Sequence, residues 1–477
     1  MKILLVNPPQ PAVWYNNEFY PPSSLLYLAA MLKRNNEEVK ILDMKTFPLP
    51  NSDSRQDFYE NILVKTLSDF VPDLIGFGCL FSGNFPDILR FSVVCKERFA
   101  EIPTIAGGIH LTIYASDILT HCPSIDWIIV GEGEESVVQL VNTIKTKRFE
   151  FDKIDGFAYR KNGKVIVNRK YNYIKDLDSI PFPAYDLINI KDYYVDSSAW
   201  NNPKNLPINT SVPIITSRSC PNHRLCNFCS MHMAMGRRWR ARSPENVVGE
   251  IEYVYNKFSH RHFSFMDDNL TANKTRIIEI CNLIKKKGLN IQFEAPNGLN
   301  LRALDKEVID ALISAGLTRI HLAIESGSVF IRNEIMKKYI SREKIYEIIR
   351  IVKSYKQLFI CAFFLIGMPE ETKETLEDTY NMIRDIDVDK TYIHHIVPYP
   401  GTDVFEQALR DNLLLNIDNQ NLYKADYLYF YRNTRFFIKP YNLAVEDLIE
   451  FKDRCDRLIA EQKAKRQKQG SYHVDSV

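Results

Sequence analysis

Short apolar segments alternate with longer, helix-like segments along most of this chain, and this alternation restricts the possible folds more than any other feature. Within residues 1–140, five such segments end at or just before Gly, Asn or Asp: Lys2–Val6, Glu38–Leu42, Leu74–Gly78, Thr104–Ala106 and Trp127–Val130. Buried strands separated by helices predict a parallel sheet with helices on both faces. We therefore predict an α/β fold that begins with a doubly wound, Rossmann-like parallel sheet.

The alternation resumes at Val212. Six more strand segments follow, with helix-like segments between them: Pro213–Thr216, His262–Met266, Ile291–Glu294, Arg319–Ile324, Phe359–Leu365 and Tyr392–Val397. One helix start is clear, because Ser243 is a favoured N-cap, Pro244 suits the first helical position and Glu245 lies in the first turn. Six strands with intervening helices predict a partial (β/α)6 barrel, whose site would lie at the carboxyl ends of the strands.

Changes in composition divide the 477 residues into four expected parts. These are a Rossmann-like domain at residues 1–150, a linker at 151–205, the partial barrel at 206–405 and a C-terminal aromatic and helical extension at 406–477. The linker contains Pro181, Pro183 and the polar run Trp200–Asn205, and Lys161-Asn162-Gly163 within it is typical of a hairpin turn. The extension contains an aromatic segment at 423–437 and an amphipathic helix at Val445–Gln467.

The charge balance argues against two classes of partner. Lys and Arg number 61 and Asp and Glu 59, so the net charge of +2 gives no overall field to attract nucleic acid or an anionic membrane. The longest apolar run, Leu358–Met368, has eleven residues, whereas a helix needs about 18 or more to cross a bilayer. The apolar run near the initial Met is too short for a signal peptide. We expect a cytoplasmic protein without nucleic-acid or membrane partners, whose nine cysteines are reduced.

Cys220, Cys226 and Cys229 are closely spaced and follow the first strand of the predicted barrel. Three thiolates on one loop suit a multi-iron cluster or a zinc ion. A cluster of four irons bound by three cysteines keeps one iron open for a substrate. The alternative is a structural zinc site in which His223 completes a tetrahedral set with the three cysteines. The spacing favours iron–sulfur and leaves zinc open.

Several motifs occur in a fixed order around this loop. After the loop come Gly236–Ile251, Phe265–Asn269, Ala323–Gly327, Phe364–Pro369 and Pro398–Thr402, and before it come Gly107–Thr112 and Gly131–Glu134. In this order, over about residues 1–405, the chain resembles the radical S-adenosylmethionine (SAM) superfamily. It is most similar to the group with a cobalamin (B12)-binding domain, the class B methyltransferase-like enzymes. The resemblance implies a [4Fe–4S] cluster, SAM and cobalamin as cofactors.

Residue roles follow from the resemblance at the matching positions, although it assigns no catalytic residue. It implies that three irons are ligated by Cys220, Cys226 and Cys229 and that SAM chelates the fourth. The implied SAM contacts are Asp267, Asp268 and Asn269, largely through their backbone carbonyls, for its methionyl amine, and Glu325 and Ser326 for its carboxylate or ribose. The implied cobalamin contacts are Ser82, Gly83, Gly107, Gly108, His110, Glu132 and Gly133.

Simpler interpretations stay open for some of these residues. Asp267 or Asp268 would serve equally as a helix N-cap, and Ser326-Gly327 as a plain turn. The aromatic segment at 423–437 either lines an apolar substrate pocket or forms a hydrophobic cap over the barrel.

Two features depart from the family pattern. Five residues separate Cys220 from Cys226, where the family commonly has three. No Asp-x-His-x-x-Gly motif, which would supply a histidine to the lower face of cobalt, occurs in the chain, and Asn7-Pro8-Pro9 follows the first strand instead. We expect cobalamin to bind with its tail base displaced and no histidine from this loop on cobalt. The alternative is a domain that kept the fold and lost the cofactor.

The resemblance implies an enzyme that cleaves SAM reductively to a 5′-deoxyadenosyl radical and methylates an unactivated carbon of a small intermediate, as in natural product biosynthesis. The alternative within the family is radical chemistry without methylation, namely cyclisation, rearrangement, coupling or oxidation. A remote alternative is a non-catalytic, zinc-stabilised protein that binds a corrinoid or a nucleotide. The expected partners are a small-molecule substrate and an electron donor such as flavodoxin or ferredoxin.

Overall fold

The structure, a computed structural model, describes residues 1–9, 20–47, 55–80, 82–195, 202–222, 226–415 and 436–468. These residues form two compact units. The first takes in the chain up to Tyr194 and the short segment Met231–Gly236, and the second takes in Val195–Ser230 and the described residues from Arg237 onward. His223 lies outside the described residues, so the predicted zinc set stays a prediction.

Seven strands form the sheet of the first unit: β1 (Lys2–Asn7), β2 (Glu38–Asp43), β3 (Leu74–Cys79), β4 (Thr104–Gly108), β5 (Trp127–Ile129), β6 (Phe157–Lys161) and β7 (Lys164–Asn168). Their order is β2-β1-β3-β4-β5-β6-β7, with parallel pairing as far as β5 and antiparallel pairing beyond it. The predicted doubly wound parallel sheet is therefore confirmed. The strand order reverses at β1, so a ligand is expected over the carboxyl ends of β1 and β3.

The β6–β7 hairpin comes from the segment that the sequence analysis treated as a linker. Asn162 and Gly163 connect its strands with positive φ values of 51° and 75°, as a tight hairpin turn requires. Ile128 of β5 pairs with Ala158 of β6, so the hairpin extends the first sheet. The turn was predicted from Asn-Gly, but its docking on β5 depends on pairing between distant residues.

The helices of the first unit are α1 (Ser23–Arg34), α2 (Arg55–Phe70), α3 (Phe85–Arg98), α4 (Ile109–Ile113), α5 (Ala115–His121), α6 (Glu134–Thr146) and α7 (Met231–Met235). Part of the apolar core lies between the sheet and α1 and α6, where Leu5, Leu25 and Leu140 are buried together. Burial of such side chains is the main source of stability for this layer. The packed layer fixes the loops that leave the carboxyl ends of the strands.

The strands of the second unit are β8 (Val212–Ile214), β9 (Ser217–Arg218), β10 (Arg240–Ala241), β11 (His262–Phe265), β12 (Gln292–Glu294), β13 (Leu317–Glu325), β14 (Phe359–Ile366) and β15 (Lys390–His395). Six of them form a parallel sheet in the order β8-β11-β12-β13-β14-β15, while β9 and β10 pair with each other in antiparallel fashion. All six predicted strands are present in sequential order, which confirms the partial (β/α)6 arrangement.

The helices of the second unit are α8 (Pro244–Lys257), α9 (Lys274–Lys286), α10 (Lys306–Ala315), a π-helix (Phe330–Ile335), α11 (Arg342–Lys353), α12 (Lys373–Ile386), α13 (Asp403–Arg410) and α14 (Val445–Lys468). The predicted start of α8 is confirmed, because Ser243 Oγ accepts a hydrogen bond from the Asn246 N–H at 3.1 Å. The predicted amphipathic C-terminal helix is present as α14. In the part of the chain that the structure describes, no helix has the length and apolar character needed to cross a membrane.

Four polar side chains form a buried cluster on three neighbouring strands of the second sheet, β11, β12 and β13. Glu294 on β12 lies 3.4 Å from His321 Nε2 and 3.8 Å from an Arg319 guanidinium nitrogen, both on β13. Ser264 Oγ of β11 donates to the same carboxylate at 3.1 Å. All four side chains are buried, so the charge of Glu294 is compensated within the sheet. The residues predicted to bind SAM, Asp267–Asn269 and Glu325–Ser326, lie at or just beyond the carboxyl ends of β11 and β13.

Candidate functional site

The cysteine loop begins directly after β9, at the carboxyl end of β8. Cys220, Cys226 and Cys229 form no disulfide bond among the described residues, and their side chains are partly exposed. The Cys229 N–H donates to the Cys226 carbonyl at 3.1 Å, which holds these two residues in one turn. Burial raises the pKa of the Cys226 thiol. The structure therefore places the three predicted ligands on one loop and leaves their sulfur atoms free of disulfide bonds.

Two asparagine amides donate hydrogen bonds to sulfur atoms of this loop. Asn269 Nδ2 lies 3.4 Å from Cys220 Sγ, and Asn222 Nδ2 lies 3.6 Å from Cys226 Sγ. Asn222 Nδ2 also lies 3.3 Å from the Lys337 carbonyl oxygen. Amide donors around sulfur are the outer partners that metal-bound thiolates require.

The chemistry of the donor set decides whether a cluster fits. Within the described ranges, no group of three or more His, Cys, Asp or Glu side chains is placed to hold a metal ion. The cysteine loop fits a cluster because it carries three thiols that form no disulfide bond among the described residues, and because amide N–H groups are directed at two of them. Thiolate ligands with hydrogen bonds to sulfur are characteristic of iron–sulfur sites. These residues suit an iron–sulfur cluster bound through three cysteines.

Asp267 supports the base of the cysteine loop. Its Oδ1 accepts hydrogen bonds from Thr216 Oγ1 at 2.7 Å and from Ser217 Oγ at 2.5 Å. Asp268 Oδ2 accepts a hydrogen bond from the Ser219 N–H at 3.0 Å. Neither carboxylate caps a helix, because Asn273 caps the next helix, α9, so the N-cap alternative is wrong. Both side chains hold the segment that leads into Cys220.

Asn269 has a buried acceptor that no other group occupies. Its Nδ2 is used by Cys220, whereas its Oδ1 is buried without a hydrogen-bond partner in the described part of the chain. An unpaired buried oxygen is costly, and a ligand amine would remove that cost. The sequence motif that ends in Asn269 therefore places a free acceptor beside the cysteine loop.

Glu325 ends β13 in an unusual backbone conformation. Its φ is 71°, and the pairing of β13 with β14 shifts register between Ala323 and Glu325. Its Oε1 lies 2.7 Å from Lys338 Nζ, and the two side chains are 9% and 21% exposed. Although burial opposes the charge on Lys338, the Glu325 carboxylate raises the pKa of the lysine. Backbone strain of this kind is concentrated at functional sites.

Lys338 is the main site residue that the sequence analysis missed. It lies within electrostatic reach of Cys226 and Cys229 as well as of Glu325. The only local signal was its position in the polar segment Met336-Lys337-Lys338-Tyr339, which is typical of an exposed surface. Nothing in the sequence therefore distinguished Lys338, as a site residue, from the adjacent Lys337.

Ser326 and Gly327 pack tightly against α12. The Gly327 N–H donates to Thr379 Oγ1 at 3.0 Å, and Ser326 Oγ lies 3.2 Å from the same oxygen. A Cβ at Gly327 would lie 2.3 Å from the Asp378 carbonyl oxygen, so no larger residue fits there. The plain-turn alternative is therefore incomplete, because this segment is a close contact between a strand end and a helix.

Arg332 braces the same segment from inside the π-helix. The side chain is fully buried. Its Nη1 donates to the Ser326 carbonyl at 2.6 Å and its Nε donates to the Ile340 carbonyl at 3.1 Å. The Lys338 N–H in turn donates to the Arg332 carbonyl at 3.0 Å. The π-helix thus joins the segments that carry Glu325 and Lys338, and such helices occur frequently at functional sites.

The predicted cobalamin loops lie at the carboxyl edge of the first sheet. The buried turn Ser82–Asn84 follows β3, and Asn84 Nδ2 donates to the Pro9 carbonyl at 3.4 Å, beyond β1. Gly108 ends β4 with a φ of 127°, and a Cβ there would lie 1.9 Å from the Cys79 carbonyl oxygen. Only glycine is compatible with this approach of β4 to β3.

His110 is buried at this edge without a polar contact. Its ring lies between those of Phe85 and Tyr114, at centroid distances of 4.9 and 5.2 Å. Neither ring nitrogen has a hydrogen-bond partner among the residues that the structure describes. Burial lowers the pKa of His110 to about 3, so the ring is neutral at physiological pH. A neutral imidazole with free nitrogens suits the amide groups at the rim of a corrin.

Glu132 and Gly133 contact other parts of the first unit, namely Ile174 and Leu28. Glu132 is buried, and its Oε2 accepts a hydrogen bond from the Ile174 N–H at 3.0 Å. A Cβ at Gly133 would lie 3.2 Å from a Leu28 methyl carbon. Gly107 is less restricted, since a Cβ there would meet Ile129 at an ordinary 3.5 Å. Glu132 and Gly133, which were predicted to contact cobalamin, are therefore seen to hold and pack the loop Gly131–Glu134.

Two family models match this chain. The model described as the radical SAM superfamily matches residues 214–383, which include the cysteine loop and the motifs up to α12. The model described as the B12 binding domain matches residues 17–141, within the first unit.

Curated proteins are similar in sequence to this chain over most of its length. An uncharacterized methyltransferase of Pyrococcus horikoshii is 32% identical over 420 residues, which cover 88% of this chain and 85% of that protein. An anaerobic magnesium-protoporphyrin IX monomethyl ester cyclase of Rubrivivax gelatinosus is 28% identical, over 81% of this chain and 66% of the cyclase. The two differ in named activity and share similarity over the same two units.

A solved structure supports the fold. The radical SAM methyltransferase TsrM from Kitasatospora setae, with tryptophan and a SAM analogue bound, superposes with a TM-score of 0.70. The superposition covers 94% of this chain and 88% of TsrM, at 18% sequence identity. The agreement shows that this chain and TsrM share a fold.

Proposed function

We infer that this chain, which belongs to the radical SAM superfamily and to its branch with a B12-binding domain, methylates an unactivated carbon of a small biosynthetic intermediate. The observation that carries this inference is the 32% identity to a methyltransferase over 85% of that protein. The family and the cofactors predicted from the sequence, a [4Fe–4S] cluster, SAM and cobalamin, are confirmed. The protein is therefore a radical SAM enzyme.

We propose that Cys220, Cys226 and Cys229 hold the cluster. When bound, the cluster supplies the electron that cleaves SAM to methionine and a 5′-deoxyadenosyl radical. Asn269 Oδ1, buried and unpaired in the described part of the chain, would accept a hydrogen bond from the methionyl amine. Asp267 and Asp268 would act by holding the strand end that leads into the loop.

Glu325 and Ser326 would border the same cofactor at the end of β13. Glu325 is buried, and its carboxylate would accept hydrogen bonds from the ribose hydroxyls. The Ser326 side chain is already engaged with Thr379, so its contribution would come from holding the backbone in place. Lys338 would neutralise Glu325 and offer a cation to the SAM carboxylate.

We propose that cobalamin binds over the carboxyl ends of β1, β3 and β4. When bound, it supplies the methyl group. The turn Ser82–Asn84, which includes Gly83, and Gly107-Gly108 would accommodate the corrin, and His110 would hydrogen-bond its side-chain amides. Glu132 and Gly133 would support the neighbouring loop through Ile174 and Leu28.

The cyclase relative supports a second candidate function. Radical chemistry without methylation has support from 28% identity over 66% of that protein, which is less than the methyltransferase relative provides. A zinc-stabilised binding protein has weaker support, because the relatives named above are enzymes with methyltransferase or cyclase activity. Methylation is therefore the function that the observations favour.

The partners follow from the proposed reaction. We propose a small-molecule substrate and a one-electron donor such as flavodoxin or ferredoxin, with no nucleic acid. The near-neutral charge and the absence of a spanning helix among the described residues agree with action in the cytoplasm.

Anaerobic incubation of the full-length protein with SAM, cobalamin, reductant and candidate substrates tests the reaction. We expect both 5′-deoxyadenosine and S-adenosylhomocysteine, because methylation consumes SAM in two ways. The Cys226→Ala variant should form neither product above background, whereas Cys281→Ala, in buried α9, should keep both. Deoxyadenosine with a converted substrate but no S-adenosylhomocysteine would favour the cyclase-type reaction. A colourless protein that contains zinc would overturn both.

A further inference from the structure

Charged and polar groups surround the cysteine loop beyond the thiols themselves. Lys338 and Glu325 form an ion pair of 2.7 Å, and Asn222 and Asn269 direct amide N–H groups at Cys226 and Cys220. The ion pair is mostly shielded from water, since the lysine is 21% and the glutamate 9% exposed. Charges in such surroundings act on each other more strongly than at an open surface.

Hydrogen bonds fix Lys338 beside the loop. Asn222 Nδ2 contacts both Cys226 Sγ and the Lys337 carbonyl oxygen, so one amide joins the cysteine loop to the lysine segment. The Lys338 backbone N–H donates to the Arg332 carbonyl at 3.0 Å at the end of the π-helix. The position of the ammonium is therefore set by the fold.

Neighbouring charge and hydrogen bonds to sulfur set the reduction potential of an iron–sulfur cluster. Reduction adds one negative charge to the cluster. A cation or an N–H donor stabilises the reduced form and raises the potential, whereas a carboxylate lowers it. Lys338 therefore raises the reduction potential of a cluster on this loop, and Glu325 lowers it.

We propose that Lys338, with the amides of Asn222 and Asn269, raises the reduction potential of the cluster held by the three cysteines, and that Glu325 opposes it. This inference rests on the proposed function, because it requires a cluster on that loop. Its consequence is that the protein adjusts the potential at which the electron donor can reduce the cluster. The lysine is a positioning and tuning group and is not assigned a step in the reaction.

Redox titration of the anaerobically reconstituted full-length protein, followed by EPR without SAM, measures this effect. At a solution potential equal to the wild-type midpoint, we expect Lys338→Met to lower the ratio of reduced to oxidised cluster about tenfold or more, a shift of about 59 mV for one electron. Glu325→Gln should raise the ratio. The double variant should return towards the wild-type value, and Lys338→Arg should stay close to it.

Lys337→Met is the matched control. It removes the same charge one residue away, where the ammonium pairs with Asp403 at 3.1 Å and that carboxylate is 72% exposed. Its midpoint should change little, because solvent screens this pair. Asn269→Leu should shift the midpoint in the same direction as Lys338→Met, since it removes an N–H donor to Cys220.

Two results separate this inference from the proposed function. A wild-type protein without iron and labile sulfide after reconstitution would overturn the proposed function and this inference together. A protein that carries the cluster, in which Lys338→Met and Glu325→Gln leave the midpoint unchanged or move it in the same direction, would overturn this inference alone. If Lys338→Met does not hold a cluster, Glu325→Gln decides, and only an upward shift agrees.

Discussion

Glu371 is a buried carboxyl group that the sequence did not mark. It follows β14 and precedes α12, its side chain is fully buried, and its Oε2 accepts a hydrogen bond from the Gly367 N–H. Its Oε1 has no hydrogen-bond partner among the described residues. Burial raises the pKa of Glu371 to about 8. The group is therefore protonated in the folded chain at neutral pH and ionised in the unfolded chain.

This difference predicts that stability falls in mildly alkaline solution. A carboxyl group with a raised folded-state pKa contributes its full stability below its unfolded value near 4.5, and the contribution is lost as the pH rises through about 8. Between pH 6 and pH 9, the loss from Glu371 should be roughly 2–3 kcal/mol. The check is the melting temperature by calorimetry at both pH values.

Glu371→Gln should remove most of that pH dependence, because an amide does not ionise. The neighbouring Glu370→Gln variant is the control. It removes a charge that adds to the raised pKa of Glu371, but burial is the larger cause, so this variant should keep most of the pH dependence. An equal fall in melting temperature for wild type and Glu371→Gln would show that Glu371 is not the titrating group.

At the scale of elements, the π-helix Phe330–Ile335 depends on one side chain. Arg332 is fully buried and donates to carbonyl groups of Ser326 and Ile340, and burial lowers the pKa of its guanidinium to about 10. Removing the guanidinium leaves the Ser326 carbonyl without this donor, at about 1–3 kcal/mol, whereas the Ile340 carbonyl keeps a hydrogen bond from Asn333 Nδ2 at 3.0 Å. We expect Arg332→Met to lower the melting temperature and to weaken SAM binding in calorimetric titration.

The planar guanidinium of Arg332 predicts that lysine cannot replace it. Lysine cannot reach carbonyl groups in two directions as a guanidinium does, so Arg332→Lys should lose most of what Arg332→Met loses. The exposed Arg350 on α11 provides the control, and Arg350→Met should change neither quantity. Wild-type SAM affinity in the Arg332→Lys variant would mean that only the positive charge matters.

The close approach of β4 to β3 depends on Gly108. A Cβ there would lie 1.9 Å from the Cys79 carbonyl oxygen, and the φ of 127° is itself unfavourable for alanine. Gly108→Ala should therefore destabilise the first unit by more than the roughly 1–3 kcal/mol that backbone strain alone costs. It should also reduce the cobalamin that stays bound during gel filtration.

Gly163 offers a matched comparison. It also has a positive φ, 75°, but no atom lies within 4 Å of a Cβ placed there. Gly163→Ala should cost only the strain of the hairpin turn and leave cobalamin retention unchanged. Equal effects of the two substitutions on melting temperature and retention would refute the steric explanation for Gly108.

For the molecule as a whole, the sequence predicted what depends on local pattern. Apolar runs located the strands of both sheets, and Ser243-Pro244 located the start of α8. The roles of Lys338 and Arg332 could not be predicted, because each is a basic residue in a polar segment and becomes a site residue only through contacts across distant strands. The support that the Asp267 carboxylate gives to Thr216 and Ser217 likewise depends on contacts between distant residues, and the predicted contact of its backbone carbonyl with SAM stays a prediction.

The first unit also predicts how cobalt is held. The turn after β1 is Asn7-Pro8-Pro9, which has no imidazole, and the buried His110 is enclosed between two aromatic rings. We expect protein-bound cob(II)alamin to give an EPR spectrum without nitrogen hyperfine splitting, because neither the tail base nor a histidine ligates the metal. Free cob(II)alamin with its tail base bound gives the contrasting spectrum. His110→Ala should weaken retention of cobalamin and leave the spectrum unchanged, whereas a nitrogen splitting that this substitution abolishes would make His110 the cobalt ligand.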